Sequence, residues 1–326
     1  MSEERSFVAG SNDEGRRLDR LIRKMFPEAG LSRIYRSIRR GDIRLNQKRA
    51  SAHSRISSGD RITLRRGSNF GIAVSELQAL PEDRSAARSL PPSWIVFRNE
   101  HLLILNKPRG ILTHGPASLT EMVAGGSLRP HRNSLSFRPG PLQRLDRNTT
   151  GLIAFSRSLY GARRFSALLR ERKITKVYLA LLDGTLISEQ VWTDTLVRDK
   201  AAGISRTTPA DTGGRTARTV VTPLAGCADH TLAACRLVTG RTHQIRAQAA
   251  LQGHPLTGDR KYGGSECKQG YLLHAFLLHL DQEERELGFH TLLAPLPAAG
   301  RRRLASLFGR EQAESALLRV SGREEV

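Results

Sequence analysis

The sequence predicts an α+β fold in two unequal regions, a small basic one in front and a larger, sheet-rich one behind. Three observations carry that prediction. Apolar residues in the front region recur at helical spacing, and from residue 94 onward short apolar runs alternate with turn residues. Between them the stretch 66–92, "RGSNFGIAVSELQALPEDRSAARSLPP", loses periodicity and ends in Pro-Pro. The expected boundaries are therefore a basic domain over 1–68, a linker over 69–92 and a body over 93–326.

In the front region Leu18, Leu21, Ile22, Met25 and Phe26 fall at i, i+3, i+4, i+7 and i+8, one face of an amphipathic helix that Pro27 and Gly30 end. Ser32 reads as the N-cap of a second helix, with Ile34 and Ile38 inward and Gly41 at its C-terminal end. Arg33, Arg36 and Arg40 then form a basic stripe along that helix. A strand starts at Ile43, the turn "NQKR" carries Lys48, and "RITL" after Gly59-Asp60 is the last strand of the region. In the body, "WIVF" at 94, "LLILN" at 102, "LIAFS" at 152, "KVYLALL" at 176, "TLAACRLV" at 231 and "YLLHAFLLHL" at 271 read as strands of a mixed or antiparallel sheet. Helices are expected near 158–170 and 242–252.

Composition narrows the partner. The formal charge is +21, and a basic excess of that size points to a polyanion, nucleic acid above all. Residues 1–66 hold 17 basic and 8 acidic side chains, so the front region is the more densely charged. No apolar run approaches the roughly 20 residues of a membrane span. The N-terminus is acidic and polar rather than basic and then apolar, so a cytoplasmic protein is expected. Cys227, Cys235 and Cys267 form no C-x-x-C pair, which excludes a disulfide framework and a zinc signature. Without H-E-x-x-H, a Walker loop or a G-x-G-x-x-G turn, neither a metal nor a nucleotide cofactor is expected, and the missing G-x-S-x-G elbow argues against a serine hydrolase.

Four segments of the body are more polar than a core or turn requires. They are "NKPRGILTHG" from Asn106, "LQRLDRNTTG" from Leu142, "KVYLALLDG" around Tyr178, and "TGRTHQIRAQAALQGHPLTGDRKYGG". In the last, His243 and Arg246 stand one helical turn apart on one face. Asp146, between Arg144 and Arg147, is open to three readings: a solvated ion pair, a turn or helix cap, or a carboxylate held for chemistry. Tyr178 in an apolar strand is either a core residue with its hydroxyl at the edge or a site group.

Together these segments resemble a known family. "RLDRNTTG" is similar to the R-L-D-x-x-T-S-G motif of the RluA family of pseudouridine synthases. "NKPRG", "KVYLALLDG" and "GRTHQIRAQAALQGHPLTGDRKYG" resemble the other motifs of that family, in the same order. In front, "RLDRLIRKMF…LSRIYRSIRRGDIRLNQKR…ISSGDRITL" resembles the S4 RNA-binding domain, and the domain order looks most like the RluC and RluD branch. The resemblance implies a pseudouridine synthase catalytic domain that isomerises specific uridines of RNA, those of large-subunit 23S ribosomal RNA first, as a monomer with neither cofactor nor metal.

By the same resemblance Asp146 is the catalytic carboxylate, acting at C1′, at C6 or on the C2′ proton. Arg246 is its charge partner. Tyr178 stacks on the flipped uracil and accepts the C5 proton, and Arg144 fills the gap left by the base or holds the nucleotide out. Asn106, Lys107 and His243 position the substrate, while Arg33, Arg36, Arg40 and Lys48 contact RNA from the S4-like domain. Arg147 reads as a solvated neighbour, and Gly151 as the residue that lets a strand pass close to RNA. Three positions depart from the family pattern: Gln143 and Gln248 stand where His is usual, and Thr150 where Ser is usual. Two other classes compete. An RNA-binding assembly protein without turnover is opposed by the intact Asp146 and Tyr178. An enzyme forming an aspartyl phosphate or a glycosyl ester needs either a magnesium cluster or a second carboxylate, for which Asp259 is the candidate, although its Gly-Asp setting reads as structural.

Overall fold

The computed structural model describes residues 4–65, 90–125, 134–199, 201–207 and 213–322. All but the last three residues of the expected linker lie outside that set. By spatial contact the chain forms two compact units. The first comprises Met1–Leu90, Leu119–Gly140 and Ser156–Arg163; the second comprises Pro91–Ser118, Pro141–Phe155 and Arg164–Val326.

The first unit is built around the helical face read from the sequence. β1 (Glu4–Val8) precedes α1 (Leu18–Met25) and α2 (Leu31–Arg40), and β2 (Ile43–Leu45), β3 (Lys48–Arg49) and β4 (Arg61–Arg65) follow. The strands make a sheet in the order β1-β4-β2-β3. Leu18, Leu21, Ile22, Phe26, Ile34, Ile38, Ile43, Ile56 and Ile62 bury together as its core. Burying side chains of this size stabilises the fold by about 1.5–3 kcal/mol each, which offsets the ordering of so short a unit.

Two details differ from expectation. Gly30, not Ser32, caps α2, because the Gly30 carbonyl accepts the amides of Arg33 and Ile34 at 3.0 and 3.2 Å and closes the first turn two residues earlier. β1 was not expected, since "ERSFV" carries too little apolar signal alone. It forms by antiparallel pairing with β4, from Glu4 opposite Arg65 to Val8 opposite Arg61. Gly41 ends α2 in the left-handed region at φ 79°, as its position predicts. Arg33, Arg36, Arg40 and Lys48 are all exposed.

The second unit carries a large mixed sheet. Its strands are β5 (Ile95–Arg98), β6 (Leu102–Lys107), β7 (Gly140–Pro141), β8 (Thr150–Ser156), β9 (Ile174–Asp183), β10 (Gln190–Asp199), β11 (Ile204–Thr207), β12 (Arg215–Cys227), β13 (His230–Leu237), β14 (Leu273–Leu280) and β15 (Thr291–Leu293). Its helices are α5 (Gln244–Leu251), α6 (Ala298–Phe308) and α7 (Arg310–Ser321); of the two before them in sequence, α3 (Leu119–Gly125) belongs to the first unit and α4 (Leu159–Arg170) starts there. The sheet runs β11-β10-β12-β13-β9-β14-β8-β6-β5, with β15 beside β14 and β7 beside β8. β8 and β14 pair in parallel, and β14 pairs antiparallel with β9, so the expected mixed, mainly antiparallel sheet is what forms.

Every apolar run named from the sequence is a strand. β10 and β12 were not read. β10 alternates only partly and carries Thr, Asp and Gln, and Pro223 breaks the pattern of β12, where the register shifts between Pro223 and Ala225. Nor were α6 and α7, which bury Leu304, Phe308, Ala313 and Ala316 against Leu179, Leu181, Leu232 and Phe276 of the sheet. None of the described helices is long and apolar enough to cross a membrane.

Gly151 shows why β8 and β14 lie so close. It sits at φ 103°, and an added Cβ would lie 2.3 Å from the Ala275 carbonyl oxygen and 2.6 Å from the Ala275 nitrogen. The missing side chain therefore admits the β14 backbone, not RNA, which corrects the sequence expectation. Next to it, His274 is fully buried and its Nε2 faces the Ala294 carbonyl at 3.1 Å. A carbonyl only accepts, so Nε2 bears the proton and Nδ1 accepts from the Thr150 hydroxyl at 2.7 Å. Burial lowers His274 to about 4, and it stays neutral. Thr150 keeps the hydroxyl that this position uses.

Candidate active site

The site is assembled on the loop between β7 and β8, on β9, and at the N-terminus of α5. The loop is held from below. Lys107, fully buried at the end of β6, donates to the Pro108 and Arg147 carbonyls at 2.9 Å each. Burial lowers Lys107 to about 8, with Asp146 raising it and Arg109 lowering it further. The Gly110 amide donates to the Arg147 carbonyl at 2.9 Å, and Arg147 Nε returns a bond to the Gly110 carbonyl at 3.0 Å. Arg147 is thus tied to protein backbone rather than merely solvated. Thr113 Oγ1 donates to the Leu145 carbonyl at 3.0 Å, and the Thr149 amide closes a turn on the Asp146 carbonyl at 3.1 Å. The carboxylate is projected from that turn.

Arg246, 5 % exposed on α5, meets it. Its Nη1 donates to Asp146 Oδ2 at 3.0 Å, while Nε and Nη2 donate to Asp259 Oδ2 and Oδ1 at 2.6 and 2.8 Å. Two rings flank the guanidinium carbon, Tyr262 at 4.9 Å and Tyr271 at 4.6 Å to their centroids. Burial pulls the Arg246 pKa down, but the bond to Asp259 and the surrounding charges outweigh it, and the net shift is upward. The fork is therefore spent in a fixed way: two arms on Asp259 and one on Asp146.

His243 caps α5 in the left-handed region at φ 56°, a conformation that costs a β-carbon-bearing residue roughly 1–2 kcal/mol. The Tyr262 hydroxyl accepts the Ser205 amide at 2.8 Å, which leaves its own hydrogen for His243 Nδ1 at 2.9 Å. The proton of the neutral ring is then on Nε2, which points at Asp146 Oδ2 from 3.6 Å. Burial lowers His243 to about 4; Asp146 opposes this, while Arg246 and Arg198 add to it. His243 is a neutral neighbour of the carboxylate at physiological pH.

A cavity of ≈ 670 Å³ opens over this group, within the range of small-molecule sites. Asp146, Tyr178, Arg144, His243 and Arg246 line it. Tyr178, on β9, is 8 % exposed. Burial first, and the Asp146 charge second, push its hydroxyl well above the ordinary tyrosine value, so it stays a phenol. Arg144 is exposed at the rim. Arg170, Arg172, Lys176 and Arg241 also line the cavity, and the sequence assigned no role to any of them. A ring of cations around a carboxylate suits a phosphate-bearing ligand whose base or sugar reaches inward.

Two expected positioning residues lie elsewhere. Asn106 Nδ2 donates to the Pro295 carbonyl at 3.1 Å, and Lys107 holds the loop from beneath; neither lines the cavity. They shape the site through backbone rather than by facing a substrate. Gln143 does line it, donating from Nε2 to the Leu152 carbonyl at 3.2 Å, with its Oε1 buried and unpartnered. Gln248 is fully used: Oε1 accepts from Thr219 Oγ1 at 2.7 Å and Nε2 donates to Asp194 at 2.6 Å. An amide serves this spot because it must both accept and donate. Asp259, Tyr262 and Tyr271 were missed as neighbours of Arg246. The Gly-Asp-x-x-Tyr spacing within the fourth motif is the signal that contained the first two.

Comparison with known proteins gives a consistent result. The RNA pseudouridylate synthase family matches residues 101–251. Ribosomal large subunit pseudouridine synthase C of Vibrio cholerae is 32% identical over 253 residues, 76% of this chain and 77% of the relative. The protein of the same name from Salmonella typhi is 32% identical over 266 residues, 80% and 81% of the two chains. That from Escherichia coli K12 is 31% identical over 263 residues, 79% and 80%. Among solved structures, human RNA pseudouridylate synthase domain containing 4 superposes with a TM-score of 0.53 at 21% identity, covering 69% of this chain and 93% of that one. Human RNA pseudouridylate synthase domain containing 1 gives 0.52 at 22%, covering 68% and 93%. These two likenesses concern the fold.

Proposed function

This chain belongs to the RNA pseudouridylate synthase family, in its RluA-type, RluC-like branch, and from that membership we propose that it isomerises specific uridines of large-subunit 23S ribosomal RNA, with Asp146 as catalytic residue and no cofactor. The single observation that carries the residue assignment is that Asp146 lines the cavity with its Oδ2 held 3.0 Å from Nη1 of a buried arginine whose Nε and Nη2 are taken by Asp259. Such an arginine orients the carboxylate while leaving its second oxygen for the nucleoside.

The reaction moves the uracil from an N1 to a C5 glycosidic bond. The uridine is flipped out of its stack at a cost of a few kcal/mol, repaid by cationic contacts to the backbone. Arg144 at the rim holds the nucleotide out or fills the space it vacates. Tyr178 stacks on the uracil inside the cavity. Because its hydroxyl stays protonated, the C5 proton is taken up by another group or water, and Tyr178 contributes a surface and a hydrogen-bonding phenol. His243 steadies Asp146 from the side, and Asn106 and Lys107 act one layer out, through the loop backbone. Residues 1–68 are proposed as an S4-like RNA-binding domain using Arg33, Arg36, Arg40 and Lys48, joined by residues 69–92 to a catalytic domain over 93–326. Its basic stripe is exposed and its small sheet and two helices support that reading.

The test is direct. Purified protein incubated with unmodified large-subunit rRNA should form pseudouridine without added metal or nucleotide. A strict requirement for either would defeat the proposed chemistry, and modification confined to other RNAs would defeat the substrate assignment.

A further inference from the structure

Asp13, fully buried in the first unit, binds no cation directly. It accepts five hydrogen bonds: from the Gly10 amide at 3.1 Å, Ser134 Oγ at 2.7 Å, the Leu135 amide at 2.7 Å, and the Ser136 amide and Oγ at 3.1 and 2.7 Å. Next to it, Asn12 Oδ1 accepts the Leu159 amide at 2.8 Å, at the start of α4. Two adjacent side chains thereby staple three distant segments of sequence together, and Leu135 packs on the core that α1 and α2 build.

The stapled segments bring cations with them. Arg16 lies three residues after Asp13, Arg138 two residues after Ser136, Arg163 one turn into α4, and Lys24 on α1. Among the described residues none of the four side chains is in an ion pair, and Arg16 Nε is buried with no hydrogen-bond partner. Burial first lowers Arg16, with Asp13 opposing and Arg163 adding to it; burial also lowers Lys24, with Arg16 and Arg138 adding. Asp13 has its acceptor sites filled by neutral donors, so it offers these cations no hydrogen bond. Like charges held together in this way, with Lys24, Arg138 and Arg163 exposed, are short of an anion.

We propose that Arg16, Lys24, Arg138 and Arg163 form a phosphate-binding patch that grips the backbone of the substrate RNA, separate from the stripe on α2 and from the active-site cavity. The inference rests on the RNA-substrate reading above. Phosphate oxygens fit because a planar guanidinium and its neighbours are matched by several acceptors on one polyanion, and such contacts fix register without reading sequence. The patch exists only when residues 134–138 are held on the N-terminal helices, so it couples RNA grip to the Asp13 staple.

Arg138 and Arg163 are exposed, so the pair Arg138→Ala, Arg163→Ala leaves the fold intact. Binding of the full-length protein to a large-subunit rRNA fragment is measured across a salt series, beside a control pair of equal charge loss, Arg301→Ala, Arg302→Ala, on exposed positions of α6. Each phosphate contact contributes about 0.7–0.9 to the slope of log affinity against log salt, so losing two should flatten it by roughly 1.4–1.8. The control should leave the slope unchanged. An unchanged slope in the Arg138/Arg163 pair, or equal flattening in both pairs, overturns the patch. Failure of the wild-type protein to bind rRNA at all would overturn the substrate reading as well, which a normal wild-type salt slope distinguishes.

Discussion

Replacing Asp259 with Asn probes how the active-site arginine is held. The Arg246 guanidinium makes three hydrogen bonds to two carboxylates, two of them to Asp259 at 2.6 and 2.8 Å, and Asp259 is 2 % exposed. Asn keeps the shape but removes the charge and turns one acceptor into a donor facing an N–H. Breaking a buried ion pair by neutralising one partner costs about 3–5 kcal/mol, because the remaining charge stays buried. The same change releases one arm of the fork, which joins Nη1 on Asp146. A carboxylate gripped by both arms is displaced from its working position, and a misplacement near 1 Å costs roughly 100-fold in rate. Urea denaturation gives the stability loss, and single-turnover pseudouridine formation at a temperature where the variant is folded gives the rate. A loss under about 1 kcal/mol with an unchanged single-turnover rate would refute the claim that Asp259 sets the posture of Arg246.

Gly151→Ala should destabilise by more than the roughly 1 kcal/mol of a helical Gly/Ala exchange and in the opposite sense, since its Cβ meets Ala275 backbone at 2.3 Å; a melting temperature equal to wild type would contradict the packing. Gln248→Leu leaves the Thr219 hydroxyl with its bond from Gln244 but without an acceptor for its hydrogen and removes a donor from Asp194, and should cost about 1–3 kcal/mol in urea, with a neutral result arguing against the network. His274 is lowered to about 4 from 6.5, so as pH falls from 6.5 toward 4 the unfolded state takes up its proton first and stability drops. The shift corresponds to about 3 kcal/mol over that window. His274→Asn should flatten this part of the pH–stability curve, and a variant curve parallel to wild type would show that another group is responsible.

What the sequence disclosed follows from how local each feature is. α1 and α2 were legible because their apolar positions repeat at helical spacing within a dozen residues, and the strands around Tyr178 and Ala275 because their apolar runs are continuous. β1, β10 and β12 were not, because they owe their strand state to partners: Glu4 pairs with Arg65, and β12 is bent at Pro223. The meeting of Asp146 with Arg246 was legible through the motifs. Its third member was not, since nothing near Asp259 in sequence says that a guanidinium thirteen residues earlier will spend two donors there. Gly151 and Asn106 show the same limit from the other side. Each sits in a motif, yet each is used for backbone, one by making room for β14 and the other by bonding the Pro295 carbonyl.

The central claim is that Asp146 performs the chemistry while RNA is held by other groups. Asp146→Asn keeps an acceptor for Arg246 Nη1 and removes the anionic oxygen, so pseudouridine formation on large-subunit rRNA should fall below detection while affinity for that RNA stays within about two-fold, a change of roughly 0.4 kcal/mol. Turnover retained by the Asn variant at a tenth of wild type or more would contradict the account.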